Sequence, residues 1–340
     1  MELTTVADDE AVVHDGMAVR TYDGLEPDTA YEYDGFAFRT LARPDGELLC
    51  RFATVNDVHF GEVEAGIIEG MELGPTFAAA PGDDPYPEVM NRGAIAEMRE
   101  HDFAAVVVKG DLTSRGTVEE YDTFRSFYEP AFGERLHVIR GNHESYNHAP
   151  YAADAPFTVE LPGVTLVVID TSIEGRASGQ VTEATRSYLA DLAATTAADD
   201  PTRPILIFGH HHVWNPESHE RPESYFGVHP DDSEPFVELV GEHRNLRGYF
   251  AGHTHRNRVR RFGLSRDVPW VEVASVKEFP GVWAEYRVHE GGILQITRRI
   301  SSPECLDWTE KTRHMYADMY FDYSFGELGD RCFAIAGPPT

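Results

Sequence analysis

Residues 50–61 read CRFATVNDVHFG. A strand-like run, RFATVN, delivers Asp57 and His59 and is closed by Gly61. An acid beside an imidazole at a strand end is ordinary in a single loop, so its meaning depends on the other strands. Four more apolar runs end in the same way: FAAVVVK (103–109) before GDLT, LHVIR (136–140) before GNHE, PILIF (204–208) before GHHH, and LRGYFA (246–251) before GHTH. In four of the five, Gly precedes or opens the polar element, where a residue without Cβ lets the backbone turn sharply.

Further buried runs, VTLVVID (164–170) and WVEVASV (270–276), alternate with helical signals. Thr117 with Glu120 forms a capping-box pattern that predicts a helix with Val118, Tyr121, Phe124, Phe127 and Tyr128 on its inner side. Thr182 opens a second helix to about residue 196, with Tyr188, Leu189 and Leu192 facing inward. Strands alternating with helices predict a layered α/β core. In open α/β sheets, sites form beyond the carboxyl ends of strands, so Asp57, His59, Asp111, Asn142, His143, His210, His253 and His255 are expected to converge.

Those are more ligand-type side chains than one tetrahedral zinc employs. Imidazole and carboxylate together suit Mn, Fe or Zn, and the chain offers no paired thiolates: Cys50, Cys305 and Cys332 have neither disulfide-framework nor zinc-site spacing. Two divalent ions among two aspartates and a neutral Asn leave a positive pocket, which attracts an anion. Phosphate fits, because paired metals clamp the attacking and leaving oxygens of an in-line displacement.

The order Asp-x-His, Gly-Asp, Gly-Asn-His-Glu, a lone His, then Gly-His-x-His resembles the calcineurin-like metallophosphoesterase family over roughly residues 50–260. The resemblance implies a β-sandwich of two mixed sheets flanked by helices. It implies that Asp57, His59 and His255 bind one metal, that Asn142, His210 and His253 bind the other, and that Asp111 bridges both. GHHHVW leaves three histidines open as the lone ligand. The related purple acid phosphatases have a Gly-His segment here, which selects His210, with His211 and His212 as wall residues. His143 would act on the phosphate as catalytic residue, Arg115 could contact phosphate, and a metal-bridging hydroxide would attack.

GDLTSRGTVEEYDTFRSFY and GHTHRNRV are most similar to the cyclic-nucleotide phosphodiesterase-like branch, so the expected function is hydrolysis of a small-molecule phosphodiester. The alternatives are a phosphomonoesterase and a catalytically silent binding scaffold. RGNHE is similar to Ser/Thr protein phosphatases, but those have Asp where this chain has Ser114.

The chain has 340 residues, 41% of them hydrophobic, and a formal charge of −29. So acidic a surface disfavours nucleic acid and anionic membrane as partners. Without a basic, apolar leader at the N-terminus, the expected location is cytoplasmic. Three regions are expected. Residues 1–47 are a small β-rich appendage in which GLEPDTAY resembles the tyrosine corner of fibronectin type III domains; residues 48–300 are the core; residues 301–340 are an extension. The aromatics Trp308, Tyr316, Tyr320, Phe321 and Tyr323 of that extension are expected to pack on the core or on a second copy in a homo-oligomer. The Gly- and Pro-rich stretches 60–90 and 213–232 follow His-bearing strands and are candidate walls of the site.

Overall fold

The computed structural model describes residues 1–68, 70 and 73–337. Parts of the 60–90 stretch (residues 69, 71 and 72) and of the extension (338–340) thus lie outside the described residues.

Each predicted run becomes a strand, and the strands form two six-stranded mixed sheets. The first has the spatial order Leu136–Ile139, Val106–Lys109, Leu48–Val55, Val282–His289, Gly292–Arg299, Cys332–Ala336. Its first three strands are parallel and its last three antiparallel. The second runs Phe157–Leu161, Val164–Val168, Ile205–Phe208, Leu246–Ala251, Pro269–Glu272, Arg258–Arg261, parallel in its middle four strands. The inner faces meet in a core that contains Phe52, Phe208, Phe250 and Tyr286. Phe52 stacks on Tyr286 at 4.4 Å, and the rings of Phe208 and Phe250 meet Tyr286 edge-on. Such aromatic contacts add packing specificity to the burial itself.

Helices cover the two outer faces. Tyr86–Met98, Val118–Phe132 and Pro303–Thr312 pack over the first sheet, and Glu183–Asp199 and Pro230–Glu242 over the second. The Thr117 hydroxyl caps Val118–Phe132 by accepting from the Glu120 amide at 3.2 Å. The Glu120 carboxylate does not return the bond to Thr117. It accepts instead from the backbone and side chain of Arg115, so the box is one-sided. Val118, expected inside, is exposed, because Phe124, Tyr128 and Phe132 define the buried stripe.

Two strands gave no apolar signal. Val282–His289 and Gly292–Arg299 carry Glu285, Arg287 and Arg299 at buried positions and Arg298 half-buried. Ala284, Tyr286 and Val288 face the sandwich. Arg287 on the other face pairs with Glu285 at 2.9 Å and with Asp8 and Asp9 of the N-terminal segment at 2.6 and 2.7 Å. A sequence pattern of buried charge hides a strand that is covered on both sides.

Residues 2–39 form a three-stranded antiparallel sheet and a hairpin, Ala30–Tyr33 with Phe36–Arg39. In the GLEPDTAY turn the Tyr31 hydroxyl accepts from the Glu26 amide at 2.9 Å. At the other terminus, Cys332–Ala336 supplies the edge of the first sheet, and Trp308 stacks on Tyr86 at 4.2 Å. All three cysteines are free. Among the described residues, no helix is long and apolar enough to cross a membrane.

Candidate metal centre

The strand ends carrying the motifs lie together at one edge of the sandwich, and their side chains converge. Asp57, His59, Asp111 and His255 offer ligand atoms that all lie within 4.8 Å of one another, and so do His210, His211 and His253. The Asp111 carboxylate joins the groups: its Oδ2 is 3.5 Å from His59 Nε2 and 3.3 Å from His210 Nε2. Asn142 Oδ1 is 3.0 Å from His210 Nε2.

The local backbone is strained to achieve this. Asp57, His59, Asp111, His253 and His255 all have φ between +46° and +68°. Left-handed backbone is uncommon outside Gly and concentrates at functional sites. The neighbouring glycines make room. A Cβ on Gly110 would strike the His210 ring, and one on Gly141 would strike the Asp111 carboxylate.

Most of the imidazoles have one nitrogen committed and the other free. His210 Nδ1 donates to the Lys109 carbonyl at 2.8 Å, His253 Nε2 to the Phe226 carbonyl at 2.7 Å, and His255 Nδ1 to Glu278 Oε1 at 2.6 Å. The lone pair of His210 Nε2 is thereby aimed at two oxygens that are themselves acceptors. A second proton or a cation completes that arrangement. Both ring nitrogens of buried His59 and Nε2 of buried His211 have no hydrogen-bond partner, which is costly unless something fills the site. The donor set therefore fits divalent cations of the Mn, Fe or Zn type.

Electrostatics agree. Burial opposes charge on His210 and His255, yet Asp111 raises the first to about 9, and Asp57 and Glu278 raise the second to about 10. Burial favours the neutral carboxyls, yet His255 holds Asp57, and His210 and His143 hold Asp111, well below the usual carboxylate range. The cluster stabilises positive charge at its centre. His59, by contrast, is lowered to about 4 by burial and the charges of Lys277 and His143, which keeps its nitrogens available as ligands.

His143 stands beside the cluster, with Nε2 4.0 Å from Asp111 Oδ2 and its amide donating to Asp111 Oδ1 at 2.9 Å. Its Nδ1 donates to the Ser114 carbonyl at 2.6 Å. Where Ser114 replaces an acidic side chain, the backbone of the same residue orients the ring. Arg115 is not brought into the centre. Its side chain is 70% exposed and pairs with Glu120 at 2.8 Å. His211, set aside by the motif, lies within the histidine group, whereas His212 packs against Tyr225.

Three residues outside the motifs complete the centre. Glu278 holds His255, Glu62 Oε2 lies 3.4 Å from His59 Nδ1, and the buried Lys277 Nζ sits 2.5 Å from Glu62 and 3.3 Å from Glu278. Glu278 also accepts from the Tyr320 hydroxyl at 2.6 Å. The centre opens into a cavity of about 590 Å³ whose walls include Ile67, Ile68 and Leu73 of one long loop, Phe226 of the other, and Tyr316, Met319 and Tyr323 of the C-terminal segment.

A β-sandwich with a dinuclear-type cluster at its strand ends defines a metallophosphoesterase. Residues 50–257 match the model of the calcineurin-like phosphoesterase family, and the chain belongs to that family. It is 27% identical over 134 residues to a cAMP/cGMP dual specificity phosphodiesterase of Mycobacterium tuberculosis, covering 36% of this chain and 41% of that protein. It is 24% identical over 168 residues to a probable glycerophosphodiester phosphodiesterase of Arcobacter nitrofigilis, covering 44% and 56%. The match thus spans about half the length of these relatives. A dimetal phosphatase from Danio rerio superposes with a TM-score of 0.58 at 14% identity, covering 75% of this chain and 98% of that one, a likeness of fold. The family is one of phosphoesterases, and the Asp and His side chains gathered here are positioned to bind metal.

Proposed function

We propose that the chain hydrolyses a phosphodiester of a small molecule, with Asp57, His59 and His255 holding one cation, Asn142, His210 and His253 the other, and Asp111 both. When bound, such a pair supplies Lewis acidity toward the phosphoryl oxygens and lowers the pKa of water. The residues of the chain do the rest. Ser114 fixes His143 through Nδ1, so a proton carried at Nε2 can pass to the leaving oxygen as its bond to phosphorus breaks and water takes its place. Glu278 orients His255 at one end of the centre, Glu62 places its charge beside His59, and Lys277 ties the two carboxylates together.

One observation favours a diester over a monoester. Among the described residues lining the cavity, the one Lys or Arg is Lys277, and its charge is consumed by Glu62 and Glu278. A monoester dianion brings one more charge than a diester, and no unpaired Lys or Arg among the described lining residues meets it. The named activities of the two relatives point the same way.

The test uses chelated protein reloaded with Mn, Fe or Zn and compares an aryl phosphodiester with an aryl phosphomonoester. Metal-dependent turnover that favours the diester is expected. A monoester preference overturns the diester reading, and silence on both esters with all three metals overturns the enzyme.

A further inference from the structure

Beyond the ligand-type side chains, the cavity wall is rich in apolar surface, and Phe226 stacks on the His253 ring at 4.0 Å. That wall is assembled from three segments far apart in the chain, and each contributes apolar surface. Ile67 is 61% exposed, Phe226 58% and Met319 54%, and all three line the same cavity as the histidines. Large apolar side chains left in water around a site mark a surface that expects to be covered. Two of the three lining tyrosines add carbon rather than hydroxyl. Tyr320 spends its hydroxyl on Glu278 and Tyr323 spends its own on the Thr254 carbonyl at 2.9 Å.

The wall is equally informative in what its described residues do not offer. Lys277 is neutralised, so a second phosphate or a carboxylate on the substrate finds no partner there. A polyol would lose water against Ile68, Leu73 and Met319 without regaining its hydrogen bonds, a cost that disfavours it. A volume of about 590 Å³ is within the range that encloses a drug-sized ligand and exceeds what a bare phosphate needs.

We infer that the substrate is a phosphodiester whose retained ester group is bulky, uncharged and apolar, and that this group is covered by Ile67, Ile68, Leu73, Phe226 and Met319. The inference rests on the phosphodiesterase reading and deepens it. It assigns to the two long loops and the C-terminal segment a shared task of substrate selection.

The experiment uses the full-length, metal-loaded protein and a series of p-nitrophenyl phosphodiesters that share one leaving group and differ in the other ester: methyl, 2,3-dihydroxypropyl, hexyl and phenyl. Constant leaving-group chemistry makes kcat/KM report the wall. Each methylene taken from water is worth about a fourfold gain at full burial, so kcat/KM for hexyl or phenyl should exceed methyl by about tenfold or more, with dihydroxypropyl close to methyl. A gain confined to phenyl assigns an aromatic group and a gain confined to hexyl an aliphatic one, and either supports the inference. The double variant Ile68→Ser with Met319→Ser, both at exposed positions, should lower kcat/KM for the hexyl ester more than for the methyl ester. Equal or better use of the dihydroxypropyl ester, or an unchanged hexyl-to-methyl ratio in the double variant, overturns the inference and leaves the phosphodiesterase reading standing. No turnover of any ester with any of the metals removes that reading, and the inference with it.

Discussion

The amide nitrogen of His253 lies 3.1 and 3.0 Å from the two carboxylate oxygens of Asp57, across 196 residues of sequence. Asp57 follows a central strand of the first sheet and His253 a central strand of the second. This contact fastens the two sheets at the edge where the ligands gather. Asp57 is thus both a charged member of one cluster and the anchor of a loop that carries a member of the other. The centre straddles the sandwich, and its strained backbone is held by hydrogen bonds from both halves.

Glu278 gives the first prediction. Its carboxylate fixes the His255 ring and sits within an ion-paired network with Lys277. Replacing such an outer partner typically weakens metal affinity about 10–100-fold. Glu278→Gln should show that loss at one of two sites in a competitive metal titration, with circular dichroism unchanged. Wild-type affinity at both sites would show that Glu278 does not support a ligand.

His143 gives the second. Its ring meets the His59 ring edge-on at 4.5 Å and lines the cavity. His143→Ala should reduce kcat by about 10²–10⁴, the usual contribution of a positioned acid or base, while metal content stays at the wild-type value. Loss of metal in this variant would make His143 a ligand.

The third concerns the N-terminal segment. Arg287, 6% exposed, joins Glu285 of its own strand to Asp8 and Asp9. Removing one member of a buried ion network leaves the others uncompensated and costs about 3–5 kcal/mol. Arg287→Ala should shift the urea midpoint by a corresponding amount. A shift within error would mean that the Arg287 network does not help to hold the N-terminal segment, which Arg313 and Arg331 also grip, to the core.

The fourth is a pH dependence away from the metal centre. His14 lies between the Thr4 and Ser301 hydroxyls and is lowered to about 3 by burial, with the Arg299 charge adding to it. In the unfolded chain it takes a proton near pH 6.5. The folded state therefore binds fewer protons below that pH. The stability due to neutral His14 is complete above about pH 6.5 and declines as pH falls toward 3. His14→Gln should flatten the stability–pH profile in that window, as read by urea unfolding of chelated protein. Parallel profiles would show that His14 does not titrate as its burial requires.

The gathering of these side chains could be read directly from the chain, because sites in α/β sheets form beyond the carboxyl ends of strands and, at four of the five strand ends, glycine gives the turn room. The repeated strand–Gly–polar pattern at Asp111, Asn142, His210 and His253 carried the convergence of these side chains, but not the order of the strands within the sheets. Glu62, Lys277, Glu278 and Tyr320 were not legible. Their roles follow from side-chain contacts between segments with no mutual spacing rule. Lys277-Glu278 follows the run 270–276 closely enough that a charged pair after a seventh strand end was the available signal. The strands 282–289 and 292–299 were hidden for a different reason: their outer faces bury charge against the N-terminal segment instead of apolar residues against a helix.

The central claim is that this chain binds a pair of cations through a shared Asp111. Elemental analysis of chelated protein reloaded with Mn, Fe or Zn, for wild type and Asp111→Asn, tests it most directly. Two ions per chain in the wild type are expected, with fewer ions and abolished turnover in Asp111→Asn. Fewer than two ions in fully active wild type, or near-normal turnover in Asp111→Asn, would contradict it.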